Sequence, residues 1–140
     1  MVADVLTALA NIDLDVPLDE RPLYAIAFML EALELIRAKL LPVAARALDV
    51  ARAYWGGAGS AEALALARKE CWYELEAKSS SLDTERPLSA AIRGVICVLQ
   101  PKEDNSDWYD LVSFFVSLSN KVDDRSVQQL EILRRLFPPA

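Results

Sequence analysis

The chain has 140 residues, of which 54% are apolar and only four are glycine. This length and composition predict one globular domain with its own core, and they exclude a disordered or low-complexity protein. The net charge of −6 argues against nucleic-acid binding, because phosphate contacts require a basic stripe and the sequence has none.

The sequence contains no histidine, and this absence restricts its chemistry. It removes the commonest general base, the carboxylate–histidine di-iron site and histidine-ligated zinc. The sequence also lacks a glycine-rich phosphate loop and a CxxC motif. We therefore expect a protein that is not an enzyme and that needs neither a metal nor a cofactor. An enzyme that works with carboxylates or with Cys71 is the alternative left open.

The first residues, MVADVLTALANIDLDV, do not resemble a targeting segment. No basic residue precedes the apolar stretch, and aspartates interrupt it, so a signal peptide is not predicted. No run of 18 apolar residues is free of charge, which argues against a transmembrane helix. We expect a cytoplasmic protein that does not enter a membrane.

Breaks in the apolar pattern divide the chain into helices. Prolines stand at the edges of four periodic segments, at Pro22, Pro42, Pro87 and Pro101. The GGAGS stretch at 56–60 ends one helix with glycine and begins the next with Ser60. Asp123 and Asp124 are expected to begin the last helix. The apolar period predicts helices over 2–12, 22–41, 43–55, 61–78, 87–100, 107–121 and 125–136.

These segments define an all-α fold, a single compact domain of six to seven helices over residues 1–140. Segments 22–41, 87–100 and 107–121 are apolar on more than one side and are predicted to be the most buried. Cys71 and Cys97 occupy apolar positions and are expected to be buried thiols, with a disulfide as the open alternative. Trp55 and Trp72 are expected to pack in the core.

The negative charge is concentrated in two inter-helix segments. Each holds four acids against one base and carries a net charge of −3, while the rest of the chain is neutral. Both precede predicted helices, where one or two acids are enough to stabilise the N-terminus. A solvated helix cap and a partner-binding surface are therefore both possible. The acids are Asp13, Asp15, Asp19 and Glu20 in segment 13–21, and Glu103, Asp104, Asp107 and Asp110 in segment 102–110.

An aromatic pair accompanies the second acidic segment. Adjacent helical positions point about 100° apart, so Trp108 and Tyr109 cannot both face one core stripe. Trp108 fits the apolar stripe, whereas Tyr109 lies beside the carboxylates and is predicted to be an aromatic anchor at an interface. The predicted partner-binding residues are Asp13, Asp15, Asp19, Glu103, Asp104, Asp107, Tyr109 and Asp110.

The stretch ALDVARAYWGGAGSAEALALARKECW, residues 47–72, resembles a pattern in the all-helical immunity proteins of bacterial polymorphic toxin (contact-dependent inhibition-like) systems. In that pattern an Ala-Arg-x-x-Trp helix end, a glycine turn and a Ser-x-Glu helix start precede a second Ala-Arg helix. The resemblance implies a small cytoplasmic protein that binds and blocks a cognate toxin domain and has no activity of its own. The matching positions are Ala51, Arg52, Trp55, Gly56, Gly57, Ser60, Glu62, Ala67 and Arg68.

An acidic surface suits a basic partner, and toxin domains that attack nucleic acids are commonly basic because they bind phosphate. An acidic inhibitor can occlude such a domain and associate quickly through electrostatic steering. A toxin of another class stays open, as does a helical adaptor or regulatory subunit that binds an unrelated protein. The sequence does not specify the oligomeric state.

Overall fold

The computed structural model describes residues 2–15, 17, 20–78, 86–101 and 108–137. These residues form seven α-helices and one 3₁₀ helix and include no strand, so the predicted all-α class is confirmed. The helices are α1 (Val2–Asp15), α2 (Arg21–Leu35), α3 (Pro42–Trp55), α4 (Ala61–Lys78), α5 (Pro87–Ile96), α6 (Trp108–Val122) and α7 (Ser126–Leu136), and the 3₁₀ helix is Arg37–Lys39.

The core is one hydrophobic cluster to which all seven helices contribute. Helix α5 packs against α3, α4 and α6, while α6 also contacts α1 and α2. Helix α7 closes the opposite side against α1 and α2. Phe28 of α2 meets Phe115 of α6 edge to face at 6.3 Å between ring centroids. The segments predicted to be most buried do supply much of the core, and seven of the ten α5 residues are buried.

Two helices end earlier than the sequence pattern predicts. The helix expected over 22–41 stops at Leu35, because the Ile36 and Lys39 amides donate to carbonyls three residues back, at 3.1 and 2.8 Å. This tighter 3₁₀ turn leads to an extended Leu41, the conformation favoured before Pro42. The helix expected over 87–100 stops at Ile96 and continues as a turn.

Side chains from α3 and α4 hold the end of α5. Val98 and Leu99 are fully buried, and their carbonyls lie beyond the last helical turn. The Trp55 indole Nε1 donates to the Val98 carbonyl at 3.1 Å, and Arg68 Nη1 donates to the Leu99 carbonyl at 2.9 Å. These two bonds, which we call the α5 clamp, pair acceptors that would otherwise be unsatisfied in the core.

The turn between α3 and α4 requires its glycines and its serine. Gly57 has φ of +89°, a left-handed conformation that glycine adopts without strain. A Cβ atom on Gly59 would lie 2.7 Å from the backbone nitrogen of Tyr54, so a larger residue does not fit. Ser60 Oγ accepts from the Ala63 amide at 3.0 Å and caps α4, as predicted. The turn thereby fixes the relative positions of the two clamp residues.

A buried polar network joins α6 and α7, and the sequence pattern did not reveal it. Gln129 is buried and donates through Nε2 to Ser119 Oγ at 3.1 Å. Its Oε1 accepts from Asn120 Nδ2 at 2.9 Å. Asp124 accepts from the Ser126 amide at 3.0 Å from the position before the N-cap, which is Arg125 and not one of the two aspartates expected to begin the helix.

We expect replacement of Trp55 with phenylalanine to lower the free energy of unfolding by about 1–3 kcal/mol, because the buried Val98 carbonyl loses its donor. Chemical denaturation of the two proteins measures this difference. Trp72→Phe is the matched control, since Trp72 is likewise half-buried against the core. Equal losses in both variants would show that the indole hydrogen bond contributes nothing beyond ring packing.

Candidate protein-binding cleft

A cleft of about 310 Å³ opens between α2, the end of α3 and the end of α7. Its floor is largely apolar, and charged side chains stand on one wall. We call it the α2–α7 cleft. Its lining residues are Leu23, Ile26, Ala27, Leu30, Glu31, Arg52, Trp55, Gly56 and Leu136.

Apolar side chains extend from the cleft onto the surrounding surface. Leu23, in the first turns of α2, is 57% exposed. The neighbouring Tyr24 is also exposed, and its ring lies 4.9 Å from that of Phe137, measured between centroids. Contiguous exposed apolar surface with a polar edge is typical of a site that binds another molecule.

Glu31 and Arg52 are the charged residues that line the cleft, and Arg52 belongs to an ion-pair network centred on Glu34. Arg37 donates to both carboxylate oxygens of Glu34, at 2.8 and 2.7 Å, and also bonds Asp49 at 2.7 Å. Arg52 donates to Glu34 Oε1 at 2.8 Å. Glu31, on the same side of the cleft, pairs with Arg135 of α7. Since each of these charges has a partner of opposite sign, the wall is polar but close to electrically balanced.

The network changes the acidity of Glu34. The hydrogen bonds from Arg37 lower the pKa of its carboxyl group from 4.5 to about 2, with a further contribution from Arg52 and with partial burial opposing the change. Glu34 is therefore charged at neutral pH, and its pairs orient Arg52 along the cleft wall.

The structure describes only part of the predicted partner-binding set. Tyr109 and Asp110 lie in the first turn of α6, where Asp110 is exposed and Tyr109 is half-buried against the core. Asp13 and Asp15 lie in the last turn of α1, which continues to residue 15 and does not end at residue 12 as predicted. This part of the first acidic segment is therefore helical. The other predicted residues lie outside the described ranges: Asp19, Glu103, Asp104 and Asp107.

The first acidic segment leads into a helix that lines the cleft, and the second contains a residue that contacts the cleft wall. Segment 13–21 leads into α2, whose Leu23 lines the cleft, and the last acid before this helix, Glu20, is exposed. Segment 102–110 contains Trp108, whose ring meets that of Trp55 edge to face at 6.3 Å between centroids. Trp55 is itself part of the cleft wall. The acidic segments are recognisable in the sequence, but the cleft is not, because its lining residues are distant along the chain.

The two tryptophans predicted to lie in the core are only half-buried. Both pack one side against the core cluster. Trp55 presents another part of its ring to the cleft, and Trp72 lies beneath the Arg93 guanidinium, 5.4 Å from the ring centroid. The core assignment is therefore correct for only part of each ring.

The two cysteines are buried free thiols, as expected. Burial raises the pKa of both Cys71 and Cys97 to about 12, which keeps them protonated at neutral pH. Within the described ranges, no three histidine, cysteine, aspartate or glutamate side chains are grouped so that they could hold a metal ion. None of the helices described is both long enough and apolar enough to cross a bilayer.

Comparison of the chain with protein-family models, curated proteins and solved structures gives no match.

The lowered pKa of Glu34 predicts a specific pH dependence of stability. A carboxyl group whose pKa is lowered by folding stabilises the fold fully at any pH above its pKa in the unfolded chain, which is 4.5 here. This stabilisation is lost as the pH falls towards the folded-state pKa of about 2. Glu34→Gln should therefore lower the melting temperature at neutral pH, and the difference from the native protein should shrink between these two values. Glu131→Gln, an exposed carboxylate on α7, controls for the lost charge. A difference that stays constant down to pH 2 would contradict the assignment.

Proposed function

We propose that this chain is an immunity protein that binds a cognate bacterial toxin domain and neutralises it by covering the active site or substrate surface. The observation that carries the proposal is the arrangement around the α2–α7 cleft. An apolar cleft with a balanced polar wall is lined by α2, the helix that follows the first acidic segment, and by Trp55, whose ring contacts Trp108 of the second segment. These two segments hold the entire net charge of the chain.

The two parts of this surface have different roles in binding. The cleft accepts an apolar side chain of the toxin, and full burial of one such side chain contributes roughly 1.5–3 kcal/mol. The acidic segments attract basic residues around that anchor, which speeds association and orients the partner. The partner with matching chemistry is a basic domain with an apolar side chain set among lysines and arginines.

Neutralisation of this kind requires no chemical step by the immunity protein. Phosphate-binding surfaces of nucleases are basic, so an acidic protein seated on one excludes the nucleic acid by occupying the same charges. The proposed site of action is the cytoplasm, where a toxin delivered into the cell would meet its substrate. The resemblance of residues 47–72 to immunity proteins supports the same proposal.

The partner is sought as the C-terminal toxin domain of a secreted protein encoded by a neighbouring gene. The test measures binding to that domain and protection of cells that express it. Leu23→Asp should weaken binding at least tenfold, because it places a charge in the cleft. Val127→Asp is the matched control, since Val127 is 62% exposed on α7 and does not line the cleft. Equal effects of the two substitutions, or none from either, would contradict the role of the cleft.

A second arm of the experiment tests the acidic segments. Asp104→Lys combined with Asp110→Lys should slow association and reduce its dependence on salt, while dissociation changes little. The control is Glu70→Lys combined with Glu131→Lys. It changes the net charge by the same amount as the first pair, but at exposed positions on α4 and α7. If both pairs slow association to the same extent, net charge steers the partner and the acidic segments have no specific role.

A further inference from the structure

Helix α4 has an outer face that no other described helix covers. It packs against α3 and α5 through Leu64, Ala67, Cys71 and Leu75, which are buried. Its opposite side exposes two large apolar residues two turns apart, Leu66 at 56% and Tyr73 at 77%. A tyrosine this exposed, on the same helix face as an exposed leucine, is the kind of residue that anchors protein interfaces.

A shallow depression of about 530 Å³ adjoins Tyr73 on this face. Lys69, Trp72, Tyr73, Glu76 and Ala77 line it. The Arg93 guanidinium stacks on the Trp72 ring from α5, 5.4 Å from its centroid, and so supports that wall. The depression is apolar at its centre, with a positive charge at one end and a negative charge at the other.

The positions of the two charges favour one orientation of a second α4 helix on this surface. Lys69 and Glu76 are exposed and seven residues apart, so they lie on the same flank of α4, about 10.5 Å apart along its axis. If a second α4 packs antiparallel with the two-fold axis beside Tyr73, each Lys69 faces the second copy's Glu76. A parallel pair would instead carry the Lys69 and Glu76 of the two copies to opposite flanks of the interface, so these four charges would form no pairs with one another.

We propose that the protein forms a two-fold symmetric dimer through the outer face of α4. Each Tyr73 inserts into the depression of the other copy, and two symmetric Lys69–Glu76 pairs fix the antiparallel orientation. A self-complementary patch of this kind closes on itself and yields a dimer rather than a chain of subunits. The interface includes none of the residues that line the α2–α7 cleft, so it does not depend on the proposed toxin binding.

Sedimentation velocity of the full chain over a range of concentrations tests the dimer. We expect the dimer dissociation constant to rise on the order of tenfold with Lys69→Glu alone and likewise with Glu76→Lys alone. Each substitution places like charges opposite one another in both symmetric pairs. The two substitutions together should restore dimerisation, since the pairs are rebuilt with reversed sign. Tyr73→Ala should weaken the dimer by more than tenfold.

Glu70→Lys is the matched control, because Glu70 is exposed on the same helix but does not line the depression, and it should leave the dissociation constant unchanged. Circular dichroism of each variant establishes that its helices are intact. A chain that is monomeric at every concentration would overturn the proposal. So would a dimer that persists in Tyr73→Ala, or a failure of the double reversal to restore association.

Discussion

The end of α5 is the point on which the rest of the structure depends. Val98 and Leu99, which follow its last residue, are buried, and a buried carbonyl without a hydrogen-bond donor costs about 1–3 kcal/mol of stability. Trp55 and Arg68 supply the donors from two other helices, and the glycine turn between those helices sets their spacing. Because Trp55 also lines the α2–α7 cleft and contacts Trp108, the bond that completes the core also fixes the wall of the candidate site.

Much of this architecture was predictable because its signals are local. Prolines begin three of the helices, and Ser60 caps a fourth, as their residue types require. The early ends of α2 and α5 were not predictable in this way. Apolar periodicity continues through 97–99, but the backbone there satisfies its carbonyls with side chains from distant residues. The buried Gln129 network escaped prediction for the same reason, since its partners come from α6.

The candidate site too was predictable only where its signals are local in the sequence. Uneven charge along the chain pointed to two acidic segments, because charge can be counted directly. The cleft was invisible in the sequence, since it brings together Leu23, Trp55 and Leu136 from three helices. The exposed apolar residue at its edge is Leu23, whereas Tyr109, predicted as the anchor, is half-buried in α6. Residues of stretch 47–72 build the turn and the α5 clamp, and Arg52, Trp55 and Gly56 of the same stretch also line the cleft.

Hydrogen–deuterium exchange of the complex with the toxin domain, compared with the free protein at the same concentration, tests the central claim most directly. If the cleft is the recognition surface, exchange should be slower in the first half of α2, in the last turn of α7 and across residues 102–110. Helix α4 should exchange equally in both samples, because its outer face does not take part in toxin binding. Slowed exchange confined to α4, or to helices remote from the α2–α7 cleft, would contradict the assignment of the cleft as the recognition surface.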